Sequence, residues 1–297
     1  MMKMRKIIIT GAKGQLGQSL NKLIRHFPDF EFINTDQAEL DITNLEEVRA
    51  FIGNNPAYAL INCAAYTAVD KAEEEEELAF LINEKGPHNL AIACRETKTV
   101  LIHISTDYVF SGQGFRPYPV DTEVKPESVY GRSKAAGENA IQKINPAGCI
   151  IRTSWLYSEY GQNFVKTMLR LGHDRNELNV IADQIGTPTY ASDFADAILK
   201  MLSHPEKKFD QENGTSLYHY SNTGCASWFD FTIAIIEIAG LDCKINPIPT
   251  ENYPLPAKRP FYSVLNTDTT KDQFGLEIPY WRSSLTTCIK EIIKNTE

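Results

Sequence analysis

The 297-residue chain has no cluster of basic residues, no long apolar run and no cysteines at metal or redox spacing, and each lack narrows what it can be. Its 30 Lys and Arg stand against 38 Asp and Glu, a formal net charge of -8. A nucleic-acid binder needs clustered cations to displace counterions from phosphates, so that class is excluded. Nowhere do about 18 apolar residues follow one another, as a membrane helix requires. At the N-terminus Lys3, Arg5 and Lys6 introduce only Ile7 to Ile9, too short for the apolar region of a secretory signal. The six cysteines are scattered without C-x-x-C spacing and read as reduced, mostly structural thiols of a cytoplasmic protein. Internal repeats and low-complexity linkers are also missing. The 42% hydrophobic and 23% charged content is that of an ordinary globular protein, long enough for one large α/β unit or two lobes.

What is present begins with Lys6-Ile-Ile-Ile-Thr-Gly-Ala-Lys-Gly-Gln-Leu-Gly17, an apolar strand turning through three glycines into a helix. Gly11 permits a backbone angle closed to other residues, Gly14 removes a side chain where a pyrophosphate would approach, and Gly17 lets the helix pack on the strand. The new helix offers free N–H groups to phosphates. Phe30 to Asp36 alternates as a second strand, and Asp36 falls where the dinucleotide fold places the carboxylate that bonds the adenosine ribose. Asp41-Ile-Thr-Asn44 signals a helix cap. Tyr58 to Ala65 is a third strand ending in small residues that let a cofactor lie against the backbone.

The run Glu73 to Glu77 suggests a metal cluster, yet successive helical residues point around the circumference and cannot converge, so it reads as a solvated helix face and no metal is expected. Thr99 to Ser105 is a fourth strand with His103 inside it as a core residue, and Thr106 lies at its carboxyl end, where open parallel sheets bind ligands. Tyr130 and Lys134 then sit one turn apart on a helix running to Ile144. An ammonium beside a phenol is expected to lower the Tyr pKa, giving a proton donor usable near neutral pH. Gly148 to Trp155 forms a fifth strand with Trp155 at its end.

This alternation predicts an α/β protein: a Rossmann-like doubly wound parallel sheet with a smaller C-terminal α/β substrate lobe. Residues 1–155 form the dinucleotide-binding domain, with 189–222 returning to it, and 156–188 with 223–297 form the substrate lobe. In that lobe a Pro-rich passage carries Lys258 and Arg259, two cations suited to a diphosphate.

Taken in order, the glycine turn, Ser105-Thr-Asp-Tyr-Val-Phe110, Tyr130 with Lys134, and Arg152-Thr-Ser-Trp155 resemble the extended short-chain dehydrogenases/reductases that act on nucleotide sugars. Asn62 to Glu73, Asn163 to Leu169, Asp183-Gln-Ile-Gly-Thr-Pro188 and Pro256-Ala-Lys-Arg-Pro260 are similar to the dTDP-4-dehydrorhamnose reductase family. The resemblance covers nearly the whole chain. It implies reduction of the C4 ketone of dTDP-4-dehydro-L-rhamnose by NADPH or NADH, in a monomer or homodimer. By the same resemblance Tyr130 donates the proton, Lys134 holds the nicotinamide ribose, and Thr106 bonds the sugar oxygen. Asp107, Trp155 and Arg259 contact the substrate. Gly11, Gly14, Gln15, Leu16, Gly17, Asp36, Asp41, Ile42, Ala64, Ala65 and Tyr66 belong to the cofactor site.

Some members carry acidic residues that bind magnesium between subunits. The first-helix position of that set is Ser19 here, which argues against a metal-bridged dimer. Three rival readings share the scaffold. A nucleotide-sugar 4,6-dehydratase resembles Thr-Asp-Glu after the fourth strand, where this chain has Tyr108. A non-catalytic regulator resembling the methionine adenosyltransferase beta subunit would bind the cofactor without turnover, and another reductase or epimerase of the superfamily would differ in its sugar.

Overall fold

Three consecutive isoleucines set the architecture: Ile7, Ile8 and Ile9 are all fully buried, so their strand is covered on both faces, as parallel strands are. The computed structural model describes residues 4–204, 206 and 209–295. The strands β1 (Arg5–Thr10), β2 (Phe30–Asn34), β3 (Ala59–Asn62), β4 (Val100–Thr106), β5 (Gly148–Thr153) and β6 (Thr215–His219) form one sheet in the order 2-1-3-4-5-6. Every neighbouring pair is parallel. The crossovers include α1 (Gln15–Leu23), α2 (Leu45–Asn54), α3 (Gly86–Thr97) and α4 (Val129–Ile144). This is the doubly wound α/β sheet that the sequence predicts. The strand order reverses between β1 and β3, which places a crevice at the carboxyl ends of those strands.

Local chemistry starts the helices where expected. The Asn44 side chain accepts from the Glu46 and Glu47 amides and caps α2. Ser128 caps α4 by accepting from the Gly131 amide at 3.1 Å.

The helix Ala191–Ser203 returns to the sheet, where Phe194 and Ile198 share a core with Leu16 and Leu20 of α1. A second core gathers Val165, Phe231, Ile235, Trp281 and Leu285 from the helices Phe164–Asp174, Trp228–Ala239 and Trp281–Lys294. Those helices pack with a parallel pair of strands, Glu177–Ile181 and Lys244–Ile248. Helix Asp268–Phe274 has no clear periodic signal in sequence. It sends Phe274 edge-on against Tyr218 with centroids 5.3 Å apart, so this part of 223–297 packs on the first core.

The acidic run departs from its expected form. Helix Val69–Ala72 ends before Glu73 and a new helix, Glu76–Phe80, begins three residues later, so the five glutamates do not share one helix. Glu73 accepts from the Val129 amide at 2.9 Å, Glu75 accepts from the Tyr66 hydroxyl at 2.6 Å, and Glu76 pairs with Arg132 at 3.2 Å. Part of the run therefore anchors the start of α4. Among the described residues, no helix is long and apolar enough to cross a membrane.

Candidate active site

A cavity of about 1740 Å³ runs along the carboxyl ends of β1, β3, β4 and β5 into the second core. A single small-molecule pocket commonly spans about 300–1,000 Å³, so this one has room for two ligands placed end to end. Of the residues singled out by sequence, Gly11, Gly14, Gln15, Leu16, Asp36, Asp41, Ile42, Ala64, Ala65, Thr106, Asp107, Tyr130, Lys134, Trp155 and Arg259 line it.

Two do not. Gly17 lies beneath the turn, where a Cβ would come within 2.6 Å of the Ala12 Cα, in keeping with its packing role. Tyr66 stands just outside, between Ala65 and Thr67 of the lining: its amide and carbonyl are held by the Asn83 side chain, and its hydroxyl is turned to Glu75.

The glycine turn has the geometry of a phosphate cradle. Gly11 adopts φ +65°, and a Cβ there would sit 2.7 Å from the Ala64 amide nitrogen, so β1 and the segment after β3 approach backbone to backbone. Gly14 begins α1 with no side chain capping its amides. Those amides remain for an anion. Gln15 ties this turn to the second core, its Oε1 accepting from Ser158 Oγ at 3.0 Å and Asn163 Nδ2 at 2.9 Å.

At the ribose end, Asp36 accepts from the Lys13 amide at 3.1 Å and the Gln37 amide at 2.9 Å. Asp41 accepts from the amide and hydroxyl of Thr43, a turn that leads into the Asn44 cap. Ile42 is buried, and its carbonyl accepts from Asn89 Nδ2 at 3.0 Å.

Beneath the cavity Asn62 Oδ1 accepts from Thr10 Oγ1 at 2.6 Å, and its Nδ2 donates to His103 Nδ1 at 2.9 Å. Burial first, and then the Lys134 charge, hold His103 well below the usual imidazole range, so it stays neutral as a core residue.

Tyr130 and Lys134 face the end of β4. The Tyr130 ring lies edge-on to Tyr108, with centroids 5.4 Å apart at 76°. Its pKa is not lowered: burial, with a smaller contribution from the Asp107 charge, pushes it up to about 12 against a hydrogen bond with Thr106. The expected effect of Lys134 is outweighed because the ammonium is itself desolvated and donates to the Ile104 carbonyl at 2.6 Å. Burial brings Lys134 down to about 8, opposed chiefly by the Glu138 charge. Thr106 Oγ1 donates to Asp107 Oδ1 at 3.0 Å and accepts from the Tyr108 amide at 3.2 Å. Burial raises Asp107 to about 6, opposed by hydrogen bonds from Ser263, Thr106 and nearby amides.

Trp155 leaves β5 in the left-handed region, at φ +46°, which turns its indole flat against Trp228 with centroids 3.5 Å apart. Arg259 is engaged bidentately by Asp70, at 2.9 and 2.7 Å, and the same carboxylate accepts from the Ala257 amide. This pair brings the Pro-rich passage to the segment after β3. No local pattern marks Asp70 for that role. A second residue escaped the sequence reading although its signal was present: Glu138 continues the Tyr130 and Lys134 stripe by one more turn.

The family profile described as the RmlD substrate binding domain matches residues 4–294. A dTDP-4-dehydrorhamnose reductase of Aggregatibacter actinomycetemcomitans is 41% identical over 95% of this chain and 97% of its own. Among solved structures, the dTDP-4-dehydrorhamnose reductase of Clostridium acetobutylicum is 42% identical with a TM-score of 0.90, over 97% of this chain and 99% of that one. That of Bacillus anthracis str. Ames, in complex with NADP, is 38% identical with a TM-score of 0.91 over the same shares. Matched over nearly its whole length, this protein belongs to the RmlD substrate binding domain family, alongside these reductases.

Proposed function

We propose that the protein reduces the C4 ketone of dTDP-4-dehydro-L-rhamnose to dTDP-L-rhamnose, using NADPH or NADH. The observation that carries this reading is the meeting of Tyr130, Lys134 and Thr106 at the end of β4, where the glycine-turn half of the cavity joins the half beside Trp155 and Arg259. A bound nicotinamide would supply the hydride to C4. Tyr130, held near 12, keeps its proton at neutral pH and delivers it to the C4 oxygen as the hydride arrives. Thr106 bonds the same oxygen and orients it. Lys134 holds the nicotinamide ribose from one helical turn away, and the free amides at the start of α1 receive the pyrophosphate. Asp36 meets the adenosine ribose, and Asp107, Trp155 and Arg259 hold the sugar nucleotide.

In this reading residues 1–155 and 189–222 hold the dinucleotide, and 156–188 with most of 223–297 hold the sugar nucleotide. A soluble nucleotide-sugar substrate fits work in the cytoplasm. Incubating the purified protein with NADPH and the keto-sugar tests the proposal. Loss of nicotinamide absorbance with formation of dTDP-L-rhamnose is expected. Binding of NADPH without turnover would instead make the protein a regulator.

A further inference from the structure

Glu138 lies eight residues after Tyr130 and four after Lys134, so the three side chains form a stripe on one face of α4. The first two reach the cavity. Glu138 points behind it, where its side chain and that of Arg152 are each 3% exposed. Arg152 Nε donates to Glu138 Oε1 at 2.9 Å and Nη2 to Oε2 at 2.7 Å. Ser105 Oγ, from the residue before Thr106, adds a third hydrogen bond to Oε1 at 2.5 Å. Arg152 is fixed in turn by the Val120 carbonyl at 3.2 Å and by the Phe110 ring, 4.9 Å from its guanidinium carbon.

A buried ion pair is a costly way to brace a helix, since packed apolar residues of the same volume often do as well or better. The carboxylate of this pair is one helical turn from the desolvated Lys134 ammonium, which donates to the carbonyl of Ile104, the residue before Ser105. The groups facing Lys134 can be taken element by element. Tyr130, on its own helix, is a neutral phenol at neutral pH. Cys63, just past β3, has its thiol pushed up to about 12 by burial and is neutral too. His103 on β4 is neutral. Arg152 on β5 is charged, and both its Nε and Nη2 are directed at the Glu138 carboxylate. Glu138 is the negative charge that acts on Lys134 from this side.

We propose that Glu138 is a positioning residue for the reduction: clamped by Arg152 and Ser105, its buried carboxylate keeps the Lys134 ammonium charged and in place from behind the cofactor site. The proposal rests on the reading of Lys134 as the group that holds the nicotinamide ribose. It gives the Arg152 pair a chemical purpose, which is to hold the Glu138 carboxylate immobile where no water reaches it.

The test is NADPH affinity measured by fluorescence titration across pH, with kcat, KM and Tm, for the wild type, Glu138→Gln and Glu138→Gln/Arg152→Met. In the wild type affinity should weaken as pH rises through about 8, where Lys134 loses its proton. In Glu138→Gln that limb should move down by about one pH unit, the effect of losing a close opposite charge. NADPH binding at pH near 8 should then weaken severalfold, while binding on the acid side and KM for the keto-sugar stay close to wild type. In the double variant the limb should move the same way by less, because the opposing Arg152 charge is gone as well. Tm should fall in the single variant, which leaves Arg152 buried and unpaired, and recover in the double. An alkaline limb that stays in place in the double variant would overturn the proposal and leave the pair as a brace alone. Because the titration needs no keto-sugar, a wild-type protein that binds NADPH without reducing the sugar would overturn the proposed function and not this one.

Discussion

Lys13 and Asp36 meet through the backbone and not through their charges: the Lys13 amide donates to Asp36 Oδ2 at 3.1 Å, while the Lys13 ammonium lies 3.7 Å from Glu39. The carboxylate therefore has no ion pair with Lys13 where the adenosine ribose is expected, and the Lys13 ammonium is drawn to a third residue. A carboxylate here accepts hydrogen bonds from a free 2′-hydroxyl and repels the 2′-phosphate of NADPH.

NADH should consequently be accepted, with NADPH used well only when Lys13 leaves Glu39 or Asp36 turns aside. Like charges at about 4 Å oppose one another by roughly 1 kcal/mol in water, a factor of about five in binding. Asp36→Ala should raise kcat/KM for NADPH relative to NADH by about that factor, and Lys13→Ala should lower it. Steady-state kinetics with both cofactors decide the matter; a ratio unchanged in both variants would mean that neither residue reads the ribose.

Tyr130→Phe removes the proton and keeps the ring that packs against Tyr108. Turnover should fall by about 10² to 10⁴-fold, the scale of general acid catalysis, with NADPH affinity nearly unchanged. Single-turnover kinetics at saturating cofactor would measure this, and near-normal turnover would remove Tyr130 from its role.

Asp107 should make stability depend on pH. Its folded value of about 6 lies above the ordinary 3.8, so between those values the folded chain holds a proton that the unfolded chain has released. The contribution is fully present below the lower value and is lost as pH rises through the upper one. Asp107→Asn, neutral throughout, should flatten that decline. Thermal unfolding at about pH 4 and about pH 7 provides the comparison, and an equal slope in both proteins would count against a buried, protonatable carboxyl.

Trp155→Ala should raise KM for the keto-sugar and leave NADPH binding intact, because the indole borders the cavity on its second-core side. It also removes the stacking partner of Trp228, and because Trp155 is only partly buried a loss of stability of about 1–3 kcal/mol, below that of a fully buried Trp, is expected in urea unfolding. Equal loss of both ligands would mark Trp155 as a core residue only.

The first half of the chain was legible because its signals are local. Ile7 to Ile9 followed by three glycines can hardly be anything but a buried strand turning into a helix, and Tyr130 and Lys134 need only helical periodicity to share a face. Cap signals such as Asn44 act within a few residues and marked their helix correctly. The sequence alone therefore determined the parallel sheet, the glycine turn and the Tyr–Lys pair.

Tertiary structure decided what depends on distant partners and on water. Glu74 to Glu77 are exposed as expected, but the run is split between two helices, with Glu73 holding the start of α4 and Glu75 taking the Tyr66 hydroxyl. Arg259 finds Asp70 across 189 residues of chain, a pairing no spacing encodes. The protonation of the acid was also settled there. Adjacency of Tyr130 and Lys134 implied a lowered phenol, but burial acts on both groups at once. It raises the phenol and weakens the ammonium that would have opposed it, and the extent of that desolvation exists only once the chain has closed around them.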